Sequence, residues 1–277
     1  MSRPLKPLPP RDPKKTLLVD SLNLAFRWKH TGNDFDMPTD FISTVKSLAN
    51  SYDCGQIVIL ADGGSSWRRS LHPGYKMSRR KRHENATEEE KRDSERFFEY
   101  YQQTLDNCEF PILRYQGVEA DDIAAHLVKH KNKYDLEYIW LISSDRDWDL
   151  LIQENVGRFS YVTRKEVRLD NWKEHYDIDP EEYISLKCLT GDKGDNVPGI
   201  PGIGPKRAVQ LIEQYGTAFD IYNVCPIESR YKYIQSLNEN AEQLLVNYEL
   251  MDLMTYCDDA IGADNISDIQ GRMTSVV

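Results

Sequence analysis

Four short apolar runs, each followed by acidic residues, restrict the fold of this chain more than any other feature. They are KKTLLVD (residues 14–20), QIVILAD (56–62), FPILRYQ (110–116) and EYIWLISSDRD (137–147). Each has the length of a buried strand, and the segments between them suit helices at 38–52, 87–106 and 119–132. Continuous apolar strands that alternate with helices are typical of a parallel sheet covered on both faces. The pattern predicts an α/β fold with a mainly parallel central sheet flanked by helices.

The acids that follow these runs predict a metal site. In open α/β sheets the ligand lies outside the carboxyl ends of the strands, so acids placed there should converge. The candidates are Asp20, Asp62, Glu119, Asp121, Asp122, Asp145 and Asp147. Apposed carboxylates repel one another unless cations lie between them, and oxygen-rich sites suit Mg²⁺ or Mn²⁺. For any single acid, the alternative is a helix cap or a first-turn acid that complements the helix dipole.

A glycine-rich stretch at residues 190–212, TGDKGDNVPGIPGIGPKRAVQLI, adds further candidates. They are Asp192 and Asp195 as oxygen ligands, and Gly202, Gly204, Lys206 and Arg207 as contacts to phosphate. The N–H groups at the start of a helix bind phosphate without reading base sequence, and two basic side chains strengthen that attraction. The alternative is an ordinary glycine turn before a helix that begins at proline.

The charge distribution favours a nucleic-acid partner, although the net charge of the 277 residues is −10. Residues 67–83 carry seven Lys or Arg and no acid. Residues 1–15 contain five prolines and five basic residues, which predicts a basic disordered arm or a solvated tail without a role. No apolar run reaches the length of a membrane span, so no membrane partner is expected. The five cysteines form no CxxC pair, which favours a reducing cytoplasm over a disulfide framework.

Together these motifs resemble the bacteriophage-type 5′-nuclease superfamily of flap endonucleases and 5′–3′ exonucleases. This superfamily is related to the 5′-nuclease domain of bacterial DNA polymerase I. The matching stretches are LLVDSLNLAFR, ILAD, GVEADDIAA, ISSDRDWDLL, GDKGDNVPGIPGIG and KRAVQLI, and they span most of residues 16–215. The resemblance implies a single 5′-nuclease domain over 16–277, with a helical arch at about 67–106 and a helix-three-turn-helix motif at about 183–215 that binds duplex DNA. It also implies a monomer in the cytoplasm, or in the host cytoplasm if the chain is phage-encoded.

The resemblance also implies roles for individual residues. Asp20, Asp62, Glu119, Asp121 and Asp122 would belong to a first metal site, Asp145 and Asp147 would bridge toward a second, and Asp192 and Asp195 would complete it. Lys76 and Arg79 would contact the scissile phosphate, Tyr75 would stack on a base, and Lys187 would contact the substrate. Two or more Mg²⁺ ions, replaceable by Mn²⁺, are implied, with K⁺ as a further ion at the glycine turn. Ser21 stands where the family usually has glycine.

The expected function is metal-dependent hydrolysis of DNA phosphodiester bonds at 5′ flaps and 5′ ends during replication. A phosphatase of the haloacid-dehalogenase type also uses aspartates at strand ends, but it needs a DxD motif after the first strand. This chain has VDSLN there, so the second aspartate is missing. A non-catalytic protein that binds branched DNA is the remaining alternative.

Overall fold

The computed structural model describes residues 11–29 and 36–274 of the chain. Most of its strands belong to one sheet, and the last two form a small separate ribbon. The strands are β1 (Asp12–Asp20), β2 (Cys54–Leu60), β3 (Ile112–Leu113), β4 (Tyr138–Ile142), β5 (Val156–Phe159), β6 (Glu166–Val167), β7 (Gly191–Asp192) and β8 (Val197–Pro198).

The central sheet has six strands in the order β3-β2-β1-β4-β5-β6. Every neighbouring pair is parallel except β5 and β6, which are antiparallel. The predicted mainly parallel α/β sheet is therefore confirmed. Strand β1 lies between β2 and β4, so the chain crosses the sheet in opposite directions from this central strand. The carboxyl edge beside β1 is the switch point at which such sheets bind ligands.

Helices cover both faces of the sheet and form a second layer at its carboxyl edge. They are α1 (Ser21–Ala25), α2 (Met37–Ser51), α3 (Ser66–Leu71), α4 (Met77–Glu84), α5 (Glu88–Asp106), α6 (Ala120–Lys129), α7 (Tyr183–Thr190), α8 (Pro205–Tyr215), α9 (Ala218–Val224), α10 (Lys232–Glu239), α11 (Glu242–Met251), α12 (Leu253–Ile261) and α13 (Ala263–Thr274). None of the helices within residues 11–29 and 36–274 has both the length and the apolar character of a membrane span.

Side chains that alternate along the strands explain why the predicted runs are apolar throughout. In β1, Leu18 packs with α6, α12 and α13, whereas Leu17 and Val19 point to the opposite face and pack with α2 and α5. All three side chains are fully buried. A strand buried on both faces has no solvent side and therefore no polar alternation. A third cluster of apolar side chains joins helices α7 to α11.

The three helices expected from the sequence correspond to α2, α5 and α6. Helix α5 begins with a capping box in which the Thr87 hydroxyl and the Glu90 carboxylate bond each other's backbone N–H groups. Helix α6 ends at Lys129, three residues before the predicted end, because residues 131–134 continue as a 3-10 turn. The predicted arch, at about 67–106, contains α3, α4 and α5, and helices α7 and α8 occupy the predicted helix-three-turn-helix segment.

Two predicted boundaries were wrong. Residues 12–15 were assigned to the disordered arm, but they belong to β1, and the side chains of Lys14 and Lys15 pair with Glu137 and Asp53. Of the remaining arm residues, Arg11 is exposed and precedes β1, and residues 1–10 lie outside the described part of the chain. The fourth predicted strand ran to residue 147, but β4 ends at Ile142 because the next residues turn into a 3-10 helix at residues 146–151.

Candidate metal centre and nucleic-acid interface

The carboxyl ends of β1, β2 and β4 bring three of the predicted acids to one edge of the sheet. Asp20 is the last residue of β1, and its carboxylate accepts hydrogen bonds from the Ser143 hydroxyl (2.7 Å) and the Asn23 backbone N–H (3.1 Å). Asp62 follows β2, and its Oδ1 accepts from the backbone N–H of Ala120 (2.9 Å). Asp145 follows β4 and caps the 3-10 helix through the backbone N–H of Asp147 (2.9 Å).

The start of helix α6 brings two more acids to the same edge. Glu119 is the N-cap residue of α6, and Asp121 lies in its first turn. The indole N–H of Trp148 donates to Asp121 Oδ1 at 2.6 Å and fixes the orientation of that carboxylate. Since Asp62 accepts from the first N–H of the same helix, the ends of β2 and α6 are tied together. The helix therefore sets the position of acids from two separate parts of the sequence.

The pKa values show that these acids repel one another. Burial raises the pKa of Asp20 to about 7, and the neighbouring charges of Asp62 and Asp145 act in the same direction. Burial also raises the pKa of Asp121 well above its usual range, with Asp145, Glu119 and Asp62 adding to the effect and Lys76 opposing it. Raised carboxylate pKa values mean that bringing these charges together costs free energy in the absence of a cation. The cluster is suited to hold positive ions.

The glycine-rich loop contributes a second group of acids beside Asp145. The Asp192 carboxylate accepts from the backbone N–H groups of Gly194 (2.7 Å) and Asp195 (3.1 Å). The ammonium group of Lys187 is buried between Asp147 and Asp192, bonding the first and lying 3.4 Å from the second. Burial raises the pKa of Asp147, although Lys187 opposes the shift. For Asp192, Lys187 and the backbone N–H groups outweigh burial and lower the pKa.

The base of the predicted arch lies directly against these acids. Lys76 donates to Glu119 and lies 3.6 Å from Asp195, and Arg79 donates to Asp195 at 2.6 Å. Lys76 has φ 55°, in the left-handed region, and its backbone N–H bonds the carbonyl of Asp195 at 2.9 Å. A non-glycine residue in that conformation is held there by its surroundings. Both predicted phosphate-contacting cations therefore lie at the acidic cluster, paired with acids of the predicted metal sites.

Asp122, predicted as a metal ligand, is held elsewhere. Its side chain is 1% exposed, and its two oxygens accept from the two terminal nitrogens of Arg68, each at 2.7 Å. Arg68 is 2% exposed and also donates to Glu119 and to the backbone carbonyl of Leu250. A buried guanidinium needs a bidentate carboxylate partner, and Asp122 supplies it. In this structure Asp122 is a structural partner of Arg68, and its role as a metal ligand stays a prediction.

Tyr75, predicted to stack on a base, is also placed differently. Its ring is only 5% exposed and packs in the apolar cluster of helices α7 to α11. Its hydroxyl group donates to Asp195 (2.9 Å) and lies 3.2 Å from Glu119. A ring buried in this way has no free face for a base. In this structure Tyr75 orients two of the cluster's carboxylates.

The predicted phosphate-binding turn lies on the surface at the start of α8. Gly202 has φ 82°, which favours glycine, and Gly204 is the N-cap residue before Pro205. Arg207 donates to the carbonyl of Gly202 at 2.5 Å, and its guanidinium lies 4.6 Å from the ring centroid of Tyr233. Lys206 is exposed. The turn thus presents two cations to solvent, one of them held in a fixed position.

A cavity of about 730 Å³ lies beside three of the acids. Asp145, Asp147 and Asp192 line it together with Lys187. Pro205, the first residue of α8, also lines it. The start of α8 and the second group of acids therefore border the same open space.

The donor set fits divalent cations. Eight of the nine predicted ligands gather around the sheet edge and the loop, and all of them offer carboxylate oxygen, the ligand that Mg²⁺ and Mn²⁺ prefer. They are Asp20, Asp62, Glu119, Asp121, Asp145, Asp147, Asp192 and Asp195. The raised pKa values of Asp20 and Asp121 agree with this, because a bound cation would offset both the burial of these charges and the repulsion from neighbouring acids that raise them.

Sequence reasoning missed several residues that orient the site. Arg68 was counted only as part of a basic stretch, and Trp148, Ser143 and Tyr233 were not singled out. Arg68, Trp148 and Ser143 each lie more than 20 positions in the sequence from the acid that they bond. Such pairs form only in the folded chain, so no local spacing of residues identifies them. For Arg68 one signal existed: it directly follows Ser66 and Trp67 at the beginning of a short helix, a position that faces the core.

Comparison with known proteins identifies the chain. A family model described as "5′-3′ exonuclease, N-terminal resolvase-like domain" matches residues 15–178, and "5′-3′ exonuclease, C-terminal SAM fold" matches residues 178–271. The chain belongs to the 5′–3′ exonuclease family. Family membership confirms the resemblance seen in the sequence motifs.

Individual members of the 5′–3′ exonuclease family match over most of the chain. The flap endonuclease of Escherichia phage T5 is 43% identical over 255 residues, which are 90% of this chain and 87% of that protein. DNA polymerase I of Bacillus subtilis is 27% identical over 257 residues, which are 87% of this chain and 28% of the polymerase. A crystal structure of the bacteriophage T5 flap endonuclease, in a pseudo-enzyme-product complex with DNA and metal ions, has a TM-score of 0.90 at 40% identity and covers 95% of this chain and 98% of that one.

These matches establish the biochemical class. This member of the 5′–3′ exonuclease family is a structure-specific 5′ nuclease, and hence a hydrolase that binds DNA and metal. The haloacid-dehalogenase alternative is thereby excluded. A metal cofactor agrees with the acidic cluster described above.

Proposed function

We propose that this chain hydrolyses phosphodiester bonds of DNA at 5′ flaps and 5′ ends, in a reaction that depends on Mg²⁺, during DNA replication. The observation that carries the proposal is the direct contact of two arch-base cations, Lys76 and Arg79, with two of the eight clustered carboxylates, Glu119 and Asp195. Acids hold the metal and cations bind the phosphate, so the two groups must meet where the scissile phosphate lies. The similarity to the phage T5 flap endonuclease supports the choice of substrate.

We assign the acids to two connected metal sites. Asp20, Asp62, Glu119 and Asp121 form the first, Asp145 and Asp147 link the two, and Asp192 and Asp195 complete the second. Two or more Mg²⁺ ions are proposed, and Mn²⁺ can substitute because it prefers the same oxygen ligands. When bound, such ions lower the pKa of water and stabilise the attacking and leaving oxygens of a displacement. Asp122 is left out of the set, since Arg68 occupies both of its oxygens.

The arch cations act on the phosphate. Lys76 and Arg79 pair with Glu119 and Asp195 in this structure, and metal ions bound to those acids would compete for the same carboxylate oxygens. The released ammonium and guanidinium groups then bond the non-bridging phosphoryl oxygens, where negative charge develops during hydrolysis. Lys187 remains among Asp145, Asp147 and Asp192 and offsets part of their charge where the substrate approaches.

The glycine turn holds the duplex. Lys206, Arg207 and the N–H groups at the start of α8 contact the phosphate backbone, and the family also implies K⁺ at the turn from Gly202 to Gly204. The start of α8 borders the same cavity of about 730 Å³ as Asp145, Asp147 and Asp192, which supports placing the duplex beside these acids. We further propose that residues 16–277 act as one 5′-nuclease domain, as a monomer, in the cytoplasm.

Product mapping tests the proposal. A 5′-labelled flap duplex is incubated with the protein in Mg²⁺, in Mn²⁺ and in excess chelator, and the products are separated by length. We expect cleavage near the flap junction or at the 5′ end with either metal, and none with chelator. Binding of the flap duplex without cleavage in either metal would support the alternative, a non-catalytic branched-DNA-binding protein.

A further inference from the structure

A second cluster of metal-ligating side chains lies at the end of α6 opposite the acidic site. Its members are His126 and His130, four residues apart on one face of α6, and Asp258 on α12. Each residue offers one ligand atom, and these atoms all lie within 4.8 Å of one another. The 5′-nuclease chemistry proposed above makes no use of these residues.

The two imidazole rings converge on one carboxylate. His126 Nδ1 lies 2.6 Å from Asp258 Oδ1, and His130 Nε2 lies 3.2 Å from Asp258 Oδ2. The second nitrogen of His126, Nε2, lies 2.8 Å from the hydroxyl group of Tyr134. Histidines that bind metal almost always have their other ring nitrogen bonded in this way, because the bond fixes the orientation of the ring.

We propose that His126, His130 and Asp258 form a binding site for Zn²⁺ or a similar transition-metal ion. Two imidazoles and one carboxylate are a frequent protein ligand set for zinc, with water in the fourth position of a tetrahedron. At metal–ligand distances of about 2.0–2.2 Å, neighbouring ligand atoms of a tetrahedron lie roughly 3.3–3.6 Å apart. One ligand atom from each of the three residues already lies within 4.8 Å of the other two, so rotations of the partly exposed His130 and Asp258 side chains by about 1 Å would admit the ion.

Accessibility supports the assignment. His126 is buried, but about one third of the His130 and Asp258 side chains is exposed, so an ion and its water can enter from solvent. The mixed nitrogen and oxygen donors distinguish this site from the all-carboxylate cluster, which suits Mg²⁺. An ion here would join α6, whose N-cap residue Glu119 and first-turn residue Asp121 belong to the acidic cluster, to helix α12.

Lys129 provides a competing cation. Its ammonium group lies 3.1 Å from Asp258 Oδ2 and is about one third exposed, so it can turn toward solvent when an ion binds. Removing this charge should strengthen zinc binding, whereas a network held together only by hydrogen bonds would gain no affinity for metal. The substitution Lys129→Met should therefore raise the affinity for zinc, whereas substitution of a ligand should lower it.

The test counts zinc ions bound per chain by equilibrium dialysis of the full chain in excess Mg²⁺. Zinc can also bind the carboxylate cluster, so the result is the difference between the parent protein and each variant. His130→Gln and Asp258→Asn should each bind one ion fewer, while the matched controls His83→Gln and Asp259→Asn, both at exposed positions, should bind as many as the parent. Because about one third of the His130 side chain is exposed, His130→Gln should keep its fold, which circular dichroism verifies.

Two further variants sharpen the test. Tyr134→Phe removes the bond to His126 Nε2 and should weaken zinc binding at this site about 10–100-fold. Lys129→Met should bind the ion more tightly than the parent. Equal zinc counts in the parent, His130→Gln and Asp258→Asn would overturn the proposal and leave a hydrogen-bonded His–Asp network. Because the readout is zinc binding, failure of this proposal leaves the proposed nuclease activity untouched, and failure of flap cleavage leaves this site untouched.

Discussion

Replacing Asp121 and Asp122 separately by asparagine should give opposite results, although the two residues are adjacent in the sequence. Asp122 bonds the buried Arg68 through both oxygens, so Asp122→Asn removes the bidentate partner of a guanidinium that is 2% exposed and leaves only Glu119 as its counter-charge. Asp121 faces the acidic cluster, and its raised pKa shows that its negative charge is unfavourable there without metal. One substitution removes a stabilising charge, and the other removes a repelling one.

The expected magnitudes differ accordingly. Breaking a buried ion pair by removing one partner costs about 3–5 kcal/mol in the free energy of unfolding. Because Glu119 still pairs with Arg68, this cost is an upper bound, and at about 2–4 °C per kcal/mol for a chain of similar size Asp122→Asn should lower the melting temperature by up to about 20 °C. Asp121→Asn keeps an oxygen that can accept from Trp148, so its melting temperature in chelator should equal or exceed that of the parent. Its cleavage of flap DNA in Mg²⁺ should be lost.

Circular dichroism measures the melting temperature of each variant in excess chelator. A cleavage assay in Mg²⁺, run well below each melting temperature, measures the activity on flap DNA. Asp40→Asn, at an exposed position in the first turn of α2, is the control and should change neither quantity appreciably. The reasoning fails if Asp122→Asn melts with the parent while losing metal-dependent cleavage to the same extent as Asp121→Asn. That result would restore Asp122 to the metal ligands.

Other predictions address the metal, the arch and the duplex contact. Excess chelator should abolish cleavage and added Mg²⁺ or Mn²⁺ should restore it, which a gel assay of labelled flap DNA checks; persistent cleavage in chelator would contradict the metal assignment. Lys76→Ala should lower the single-turnover rate by about 10²–10³ while changing duplex affinity far less, and equal losses would make Lys76 a general phosphate contact. Replacing both Lys206 and Arg207 by alanine should weaken duplex binding for every DNA sequence. The slope of log K for binding against log salt concentration, measured by fluorescence anisotropy, should fall in magnitude by up to about two. An unchanged slope would show that the turn does not contact the duplex. Ser21→Ala should cost about 1 kcal/mol in unfolding free energy, because it removes a buried hydroxyl that bonds the Tyr101 hydroxyl (2.6 Å), and an unchanged melting temperature would show that this bond contributes nothing.

The sheet could be predicted from the sequence because a strand buried on both faces is a continuous run of apolar residues. Leu17, Leu18 and Val19 are consecutive and all buried, and Asp20 follows them at the carboxyl edge. The convergence of the acids then follows from the parallel arrangement alone. Strands β5 and β6, which extend the sheet beyond β4, were not predicted, since strands of four and two residues give little periodic signal.

Partners in tertiary contact could not be predicted in this way. Nothing local distinguishes Asp122 from Asp121, because the difference is an arginine 54 positions earlier that reaches only one of them. Tyr75 was assigned to base stacking from its place in a motif, but its burial depends on how the arch base packs against α7 and the loop that contains Asp195. Ser21, which departs from the family glycine, bonds the Leu60 carbonyl (2.7 Å) and Tyr101 on α5, a link that only the folded chain contains.

The packing of the last two helices has a consequence for how the protein can be divided. The two family models meet at residue 178, yet α12 and α13, which lie in the second matched region, pack into the same apolar cluster as α6 and β1 from the first. Arg68 adds a polar link by donating to the carbonyl of Leu250 across 182 residues of sequence. A fragment ending near 178 would expose the face of α6 that Leu253, Cys257 and Ile261 cover. The regions that sequence models separate are thus not modules that can be exchanged between relatives, and a chimaera of two family members would have to inherit α6, α12 and α13 from the same parent.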